Sequence, residues 1–209
     1  MADKFNAILQ SGLEAAWAEE EESMEICRDH ERYAYACALF FYRSDAEFSR
    51  ITQEIKYYGN ISIGQHFGLM LGKRMAACNH FRDASMVIPV PLHWRRKWKR
   101  GYNQAEVIAR AVAAGLGIPM RTDLLSRTRH TKTQTKLDVA GKAANVSGAF
   151  EIRNAEAAHS LAESSAGHII LVDDVFTTGS TLMACITALR TVFPPSVRIS
   201  LATLGCVGE

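Results

Sequence analysis

An α/β fold, with a mainly parallel twisted sheet flanked by helices, is what this 209-residue chain predicts. Three observations point there. Strand-like apolar runs alternate with helix-like segments along most of the chain. Residues 169–172, Ile-Ile-Leu-Val, form a short, β-branched, continuously apolar run, the pattern of a strand covered on both faces. Asp173, Asp174 and a loop of small residues follow at once. A helical pattern then places Leu182, Ile186 and Leu189 on one face.

Taken in order, residues 1–32 are polar and acidic, with helical spacing in Phe5, Ile8, Leu9, Leu13 and Trp17. Glu19 to Glu22 read as a solvated helix face. Residues 34–42 read as a strand, 46–58 and 63–79 as helices. Phe67 and Met70 fall on the core side of the second helix. Residues 86–90 are a short buried strand that Pro91 closes. Residues 92–103 read as a basic loop. A helix over 102–116 ends at Gly117 and Pro119. A short strand over 124–126 leads into a polar loop, 127–136. Residues 146–152 read as a strand, and 155–166 as a surface connection of small polar residues. The strand 169–172, a helix over 180–192 and a strand over 197–204 close the chain. The simplest organisation is an N-terminal helical or hood segment, residues 1–60, and a main domain, residues 61–209. There is neither an internal repeat nor a low-complexity segment.

With 48% apolar residues, the chain can build one sizeable core. A formal net charge of +2 excludes a global polyelectrolyte role. No secretory signal and no run of 18 apolar residues is found, so a cytoplasmic protein without membrane insertion is expected. The five cysteines, at 27, 37, 78, 185 and 206, are scattered and include no C-x-x-C pair. They do not read as a disulfide framework. Cys27, His30 and Cys37 lack the paired spacing and the fourth ligand of a structural zinc site, so no zinc is expected. The seven histidines show no metal spacing, and none is assigned to catalysis.

The loop after the strand carries the chemistry. Gly179 can adopt positive φ, which lets backbone N–H groups converge on an anion at the start of the next helix. Thr177, Thr178, Ser180 and Thr181 add hydroxyl donors. Together they read as a phosphate cradle. Asp173 and Asp174 would repel a phosphate but can accept hydrogen bonds from the neighbouring hydroxyls of a ribose, so the segment reads as a ribose-5-phosphate site. No Lys follows Gly179, so this is not a Walker A loop; a single glycine is not a dinucleotide fingerprint. A merely solvated acidic turn is the competing reading, but carboxylates abutting a buried strand cost on the order of several kcal/mol per ion unless paired. The basic segment 92–103 keeps three readings open: a pyrophosphate receptor, a nucleic-acid surface in which Trp94, Trp98 and Tyr102 interleave with cations, or a solvated turn.

Residues 169–182 resemble the motif by which type I phosphoribosyltransferases bind 5-phosphoribosyl-1-pyrophosphate (PRPP). Further blocks resemble the ComF family within that superfamily: Val87 to Leu92 with Arg95, Arg96 and Lys99 to Gln104; Thr131 to Gln134; Asn145 to Phe150; and Lys56 to Asn60. The resemblance spans about residues 40 to 205 and implies the type I phosphoribosyltransferase fold with an N-terminal hood subdomain. It implies displacement of pyrophosphate at C1 of ribose through an oxocarbenium-like state, assisted by Mg²⁺. Asp173 and Asp174 would be catalytic and would sense the metal, chiefly through water. Thr177, Thr178, Gly179, Ser180 and Thr181 would hold the 5-phosphate. Arg100, Lys56, Lys132 and Gln134 would meet pyrophosphate, the last two from a lid at 127–136 that excludes water. No general base stands out, so the unidentified acceptor would supply its own nucleophile.

Many ComF proteins carry an N-terminal four-cysteine zinc ribbon, which this sequence lacks. Glutamine PRPP amidotransferases share the Val-Pro-Val-Pro strand, but no glutaminase domain or N-terminal catalytic cysteine is read here, so amine transfer from glutamine by this chain alone is not expected. ComF relatives are associated with natural competence. A single-stranded DNA-handling protein working with competence machinery is therefore one alternative, and a PRPP-sensing regulator without catalysis is another. A homo-oligomer is compatible with all three.

Overall fold

The computed structural model describes residues 33–42, 49–129, 148–163 and 167–207. In chain order its elements are β1 (Ala36–Tyr42), α1 (Ser49–Tyr57), α2 (Ile61–Ala77), β2 (Met86–Pro89), α3 (Trp94–Arg100), α4 (Gln104–Leu116), β3 (Leu125–Arg127), β4 (Phe150–Ile152), α5 (Ala155–Glu163), β5 (His168–Phe176), α6 (Ser180–Leu189) and β6 (Arg198–Val207). Four strands form a parallel sheet in the order β1-β6-β5-β2. β3 and β4 pair antiparallel in a separate ribbon. β1, from the segment preceding residue 61, is thus an edge strand of the same sheet as β5.

Successive residues of each central strand serve opposite layers, as a period of two requires. Met86, Ile88, Ile169, Leu171, Ile199 and Leu201 pack with α5, α6 and the β3–β4 ribbon. Val87, Ile170, Val172, Ala202 and Leu204 pack with α1, α2 and α4. Burial on both faces explains the uninterrupted apolar run at 169–172. Each fully buried Ile or Leu contributes about 1.5–3 kcal/mol.

The second layer holds the tightest contact of the fold. Gly64, Gly68 and Gly72 recur every fourth residue, so they share one face of α2. That face lies against α4. A Cβ on Gly72 would fall 2.5 Å from the Val112 carbonyl oxygen, and one on Gly115 would fall 2.8 Å from Gly72 Cα. The two backbones therefore touch, and only glycine permits it.

The beginnings of β5 and β6 are joined by a closed polar network. His168 is fully buried. Its Nδ1 lies 3.0 Å from Asp83 Oδ1, and its Nε2 lies 2.8 Å from Ser200 Oγ. Burial lowers the imidazole pKa to about 4, so the ring is neutral near pH 7. Nδ1–H then donates to the carboxylate, and Nε2 accepts from the serine. Asp83 is also ion-paired with Arg198. The sequence of groups mimics a hydrolytic triad, but Ser200 is as buried as His168 and no substrate can reach its oxygen. The network is a structural pin.

Two segments depart from the sequence expectation. Residues 94–100, expected as loop, form helix α3, with the His93 side chain accepting from the Arg95 N–H at its start. Residues 155–163, expected as a surface connection, form helix α5, where the Asn154 side chain accepts from the Ala157 N–H. In both cases a capping side chain satisfies an otherwise orphaned donor.

Candidate functional site

β5 does not end before the paired carboxylates. It continues through Asp173 and Asp174 to Phe176, paired with β6 throughout, Asp173 opposite Thr203 and Phe176 opposite Cys206. On its other edge, the pairing with β2 stops at Pro89 opposite Val172, and one further bond runs from the Val90 N–H to the Val172 carbonyl at 2.8 Å. The sheet therefore opens beside Asp173 and Asp174, at the carboxyl end of its central strands, where open α/β sheets bind ligands.

The strand period separates the two carboxylates. Asp174, 5% exposed, meets Lys56 Nζ at 2.9 Å and receives the Gln104 side-chain amide at 3.4 Å. Lys56 comes from the last turn of α1, and Gln104 is the first residue of α4. Asp173 is half-buried and lies within electrostatic reach of Arg127 and Cys185 on the other layer. Its Oδ1 accepts the backbone N–H of Asp174 at 2.9 Å. Burial, reinforced by the Asp174 charge, pushes the Asp173 carboxyl up to about 7. Burial also opposes the Lys56 charge, but Asp174 and then Asp173 outweigh it and hold the ammonium above its ordinary pKa. Burial, and then the nearby Arg96, lower the pKa of Arg127.

The loop beyond β5 turns at Gly179, with φ of 69°. A Cβ there would sit 2.8 Å from the Phe176 ring, so both conformation and space demand glycine. Met183 N–H makes a helical bond to the Gly179 carbonyl, at 2.9 Å. The N–H groups of Ser180, Thr181 and Leu182 precede any intrahelical acceptor and form the positive end of α6. Thr178 Oγ1 and Ser180 Oγ are 2.9 Å apart, and Thr177 is exposed. All five loop residues named from the sequence thus surround one helix start, directly after the carboxylates.

Lys56 also borders a cleft of about 560 Å³ between the C-terminal end of α1 and α3. Arg96, Lys99 and Arg100 line its α3 side; Tyr57, Tyr58 and Tyr102 complete its walls. At 3.6 residues per turn, residues 96, 99 and 100 share one face of α3, while Trp94 and Trp98 occupy the other. Those tryptophans are 65% and 86% exposed, and the Arg95 guanidinium lies 5.2 Å from the Trp94 ring centre. The basic and aromatic residues, read together in the sequence, are therefore divided between two surfaces. The Arg100 guanidinium stacks near the Tyr57 ring, 5.9 Å from its centre, and hydrogen-bonds the Gln104 carbonyl oxygen.

Sequence reasoning gave Gln104 no role. Its amide joins Arg100 to Asp174, with the oxygen facing the cation and the nitrogen the carboxylate. Asn103 sets it in place: its side chain accepts from the Ala105 N–H at 3.2 Å and donates to the Val90 carbonyl at 3.0 Å, tying α4 to the end of β2. The available signal was two adjacent amides at a helix start, just after a glycine.

Lys132 and Gln134 lie outside the described residues, as do most of the expected lid and Cys27 and His30. Cys37 is described: its thiol is buried, donates to the Leu201 carbonyl at 3.5 Å, and is raised by burial to about 12. Among the described residues, no cluster of three or more metal-binding side chains occurs, and no helix is long and apolar enough to cross a membrane.

Residues 103–204, from Asn103 at the start of α4 through most of β6, match the family described as "Phosphoribosyl transferase domain". The chain is 36% identical over 113 residues to Competence protein F of Haemophilus influenzae, across 54% of this chain and 47% of that one. It is 33% identical over 96 residues to the DNA utilization protein YhgH of Salmonella typhimurium, across 46% and 39% of the two chains. The Escherichia coli K12 protein of that name is 32% identical over the same length. The matched stretches span half or less of these curated relatives. The parallel sheet, the strand–loop–helix at its carboxyl edge and these similarities agree: the chain has the α/β fold of a type I phosphoribosyltransferase and resembles the ComF family.

Proposed function

We propose that the chain binds PRPP where β5 meets α6 and transfers its phosphoribosyl group to an acceptor, releasing pyrophosphate. The observation that carries this reading is the Gly179-turned helix start placed directly after two carboxylates on the open edge of β5. Ser180, Thr181 and their hydroxyl neighbours bind the 5-phosphate through the first turn of α6. Asp174, held by Lys56 and Gln104, accepts hydrogen bonds from ribose hydroxyls. Lys56 and Arg100 lie on the side from which pyrophosphate departs and offset its charge.

Two carboxylates fit Mg²⁺, which is commonly held by one or two protein carboxylates together with phosphate oxygens and water. Asp173 and Asp174, which the strand period sends to different layers, would hold it chiefly through its water shell; when bound, it would neutralise charge on the leaving pyrophosphate. Asp173, with a pKa near neutrality, gives up its proton as a cation arrives. The chain contributes position and electrostatics, consistent with a reaction that needs no protein nucleophile.

The test is a thermal melt with Mg²⁺, with and without PRPP. At about 100 times the Kd, stabilisation is roughly 2.7 kcal/mol, a shift of about 5–10 °C for a chain this size. Thr178→Ala should reduce that shift. No shift at saturating PRPP removes the assignment. PRPP binding without pyrophosphate release for any acceptor would favour a PRPP-sensing regulator.

A second reading draws on the outer face of α3. Its exposed Trp94 and Trp98 beside Arg95 suit stacking on single-stranded DNA, and two kinds of relative are named for competence and DNA utilization. Binding of an oligonucleotide should fall steeply with salt and weaken in Trp98→Ala. A flat salt response argues against it.

A further inference from the structure

We infer that Gln104 is a specificity-determining positioning residue: its amide fixes the Asp174 carboxylate so that the site accepts a ribose and rejects a 2-deoxyribose. This rests on the PRPP reading above. Two donors meet on one oxygen of that carboxylate. Lys56 Nζ lies 2.9 Å and Gln104 Nε2 lies 3.4 Å from Asp174 Oδ2. Among the described residues, no side chain bonds Oδ1, which is therefore the oxygen presented to a sugar hydroxyl.

Lys56 alone would not set the angle of the carboxylate. Its ammonium is a compact charge on a flexible stem and can follow the carboxylate as it turns. Gln104 is buried and is held at both ends, because its Oε1 accepts from the Arg100 guanidinium. Arg100 closes α3 and Gln104 opens α4, and Gly101, with φ of 88°, makes the turn that brings them face to face. That turn is pinned twice. The Tyr102 hydroxyl donates to the carbonyl of Ile55, the residue before Lys56. The Asn103 amide donates to the Val90 carbonyl at 3.0 Å. Both donors on Oδ2 are thus referred to one turn.

The chemistry of the position dictates the residue type. Residue 104 stands between a cation and an anion, and an amide offers an acceptor to the first and a donor to the second. A carboxylate there would repel Asp174, and a cation would repel Arg100. An apolar chain would serve neither.

Selectivity follows from the fixed angle. Gln104 ties Asp174 to Arg100, on the pyrophosphate side, so Asp174 lies toward C1 of the ribose. The hydroxyl beside C1 is the 2-hydroxyl. Asp174 is 5% exposed. A sugar without that hydroxyl covers Oδ1 and leaves it unpaired, which costs more than the loss of a contact. The penalty applies only while the carboxylate cannot rotate away.

The test is a cycle of two sugars and three proteins. Ribose 5-phosphate and 2-deoxyribose 5-phosphate are each titrated calorimetrically, without Mg²⁺, into the full chain and into Gln104→Met and Gln104→Glu. The parent should bind the ribose ester at least about tenfold more tightly. Gln104→Met should lose most of that preference by weakening the ribose ester alone. The deoxy ester should stay within about twofold of its parent affinity, because α6 holds its phosphate. Gln104→Glu keeps an acceptor for Arg100 but sets another against Asp174, and should lose the preference too. Equal weakening of both esters would mark a merely structural role. That result, a parent that does not discriminate, an unchanged ratio in both variants, or no binding of the ribose ester overturns the proposal. The PRPP melt on the same samples tells the two failures apart. A PRPP shift in the parent alongside any of those results overturns only the Gln104 assignment. No PRPP shift and no binding of either ester removes the PRPP reading, and this proposal with it.

Discussion

The two ends of β5 carry similar groups and handle them in opposite ways. At its start, His168 is neutral, and both ring nitrogens are satisfied by Asp83 and Ser200. At its far end, Asp173 is held near its titration point beside a second carboxylate, and Lys56 is drawn from another helix to offset them. The first network is complete without a ligand and contributes only stability. The second is electrostatically loaded, which costs stability and leaves work for a ligand to do. A perturbed pKa alone would not separate these cases, because both are strongly shifted; the open strand edge does.

That contrast can be broken most directly at Asp173. Its folded pKa lies above the unfolded value of 3.8, so its cost is full above pH 7 and disappears as pH falls toward 3.8. Asp173→Asn should therefore stabilise the unliganded chain at pH 8, by about 2 kcal/mol once partial access of water is allowed for. The same variant should weaken Mg²⁺–PRPP binding. Urea unfolding and titration check both; a destabilised variant would show that the carboxylate is not under load.

His168 has the opposite sign. Its folded pKa of about 4 lies below the unfolded 6.5, so its contribution is present above pH 6.5 and is lost as pH falls toward 4. In Asp173→Asn, where the opposing slope is gone, stability should drop by up to about 2 kcal/mol between pH 8 and pH 5. The parent should change less over that interval. Equal slopes in the two proteins would contradict the assignment of opposed ends.

Smaller effects sharpen the comparison. Asp174→Asn should weaken PRPP binding about tenfold, or 1.4 kcal/mol, in a fluorescence or calorimetric titration. Asp83→Asn, at the other end, should cost no more than about 1 kcal/mol of stability, since Asp83 is half-exposed. PRPP affinity in that variant should match the parent's, and a loss of affinity would mean the two ends communicate.

Much of this was legible in the chain. The apolar run at 169–172, the two carboxylates and Gly179 identified the strand, the loop and the helix start, because those features depend on neighbours in sequence. The continuation of β5 past Val172 was not legible: it depends on pairing with Thr203 to Cys206, and isolated carboxylates read as a strand end. Nor was the partition of α3, whose seven residues include five cations and bury no side chain, so that they resemble a charged loop. The His168 pin joins residues 32 and 85 positions apart, beyond any local pattern. The glycines of α2 were visible at every fourth position, but a count of apolar spacing passes over residues that have no side chain.

Those glycines also act as a mechanical index. Lys56 lies just upstream of α2, and Gln104 opens α4; both converge on Asp174. Because Gly72 and Gly115 let the helix backbones mesh like two teeth, sliding one helix by a residue would drive a side chain into a backbone. The alignment of a cation and an amide on a single carboxylate is thus gauged three to four helical turns along the chain from either, by two positions that carry no functional group at all.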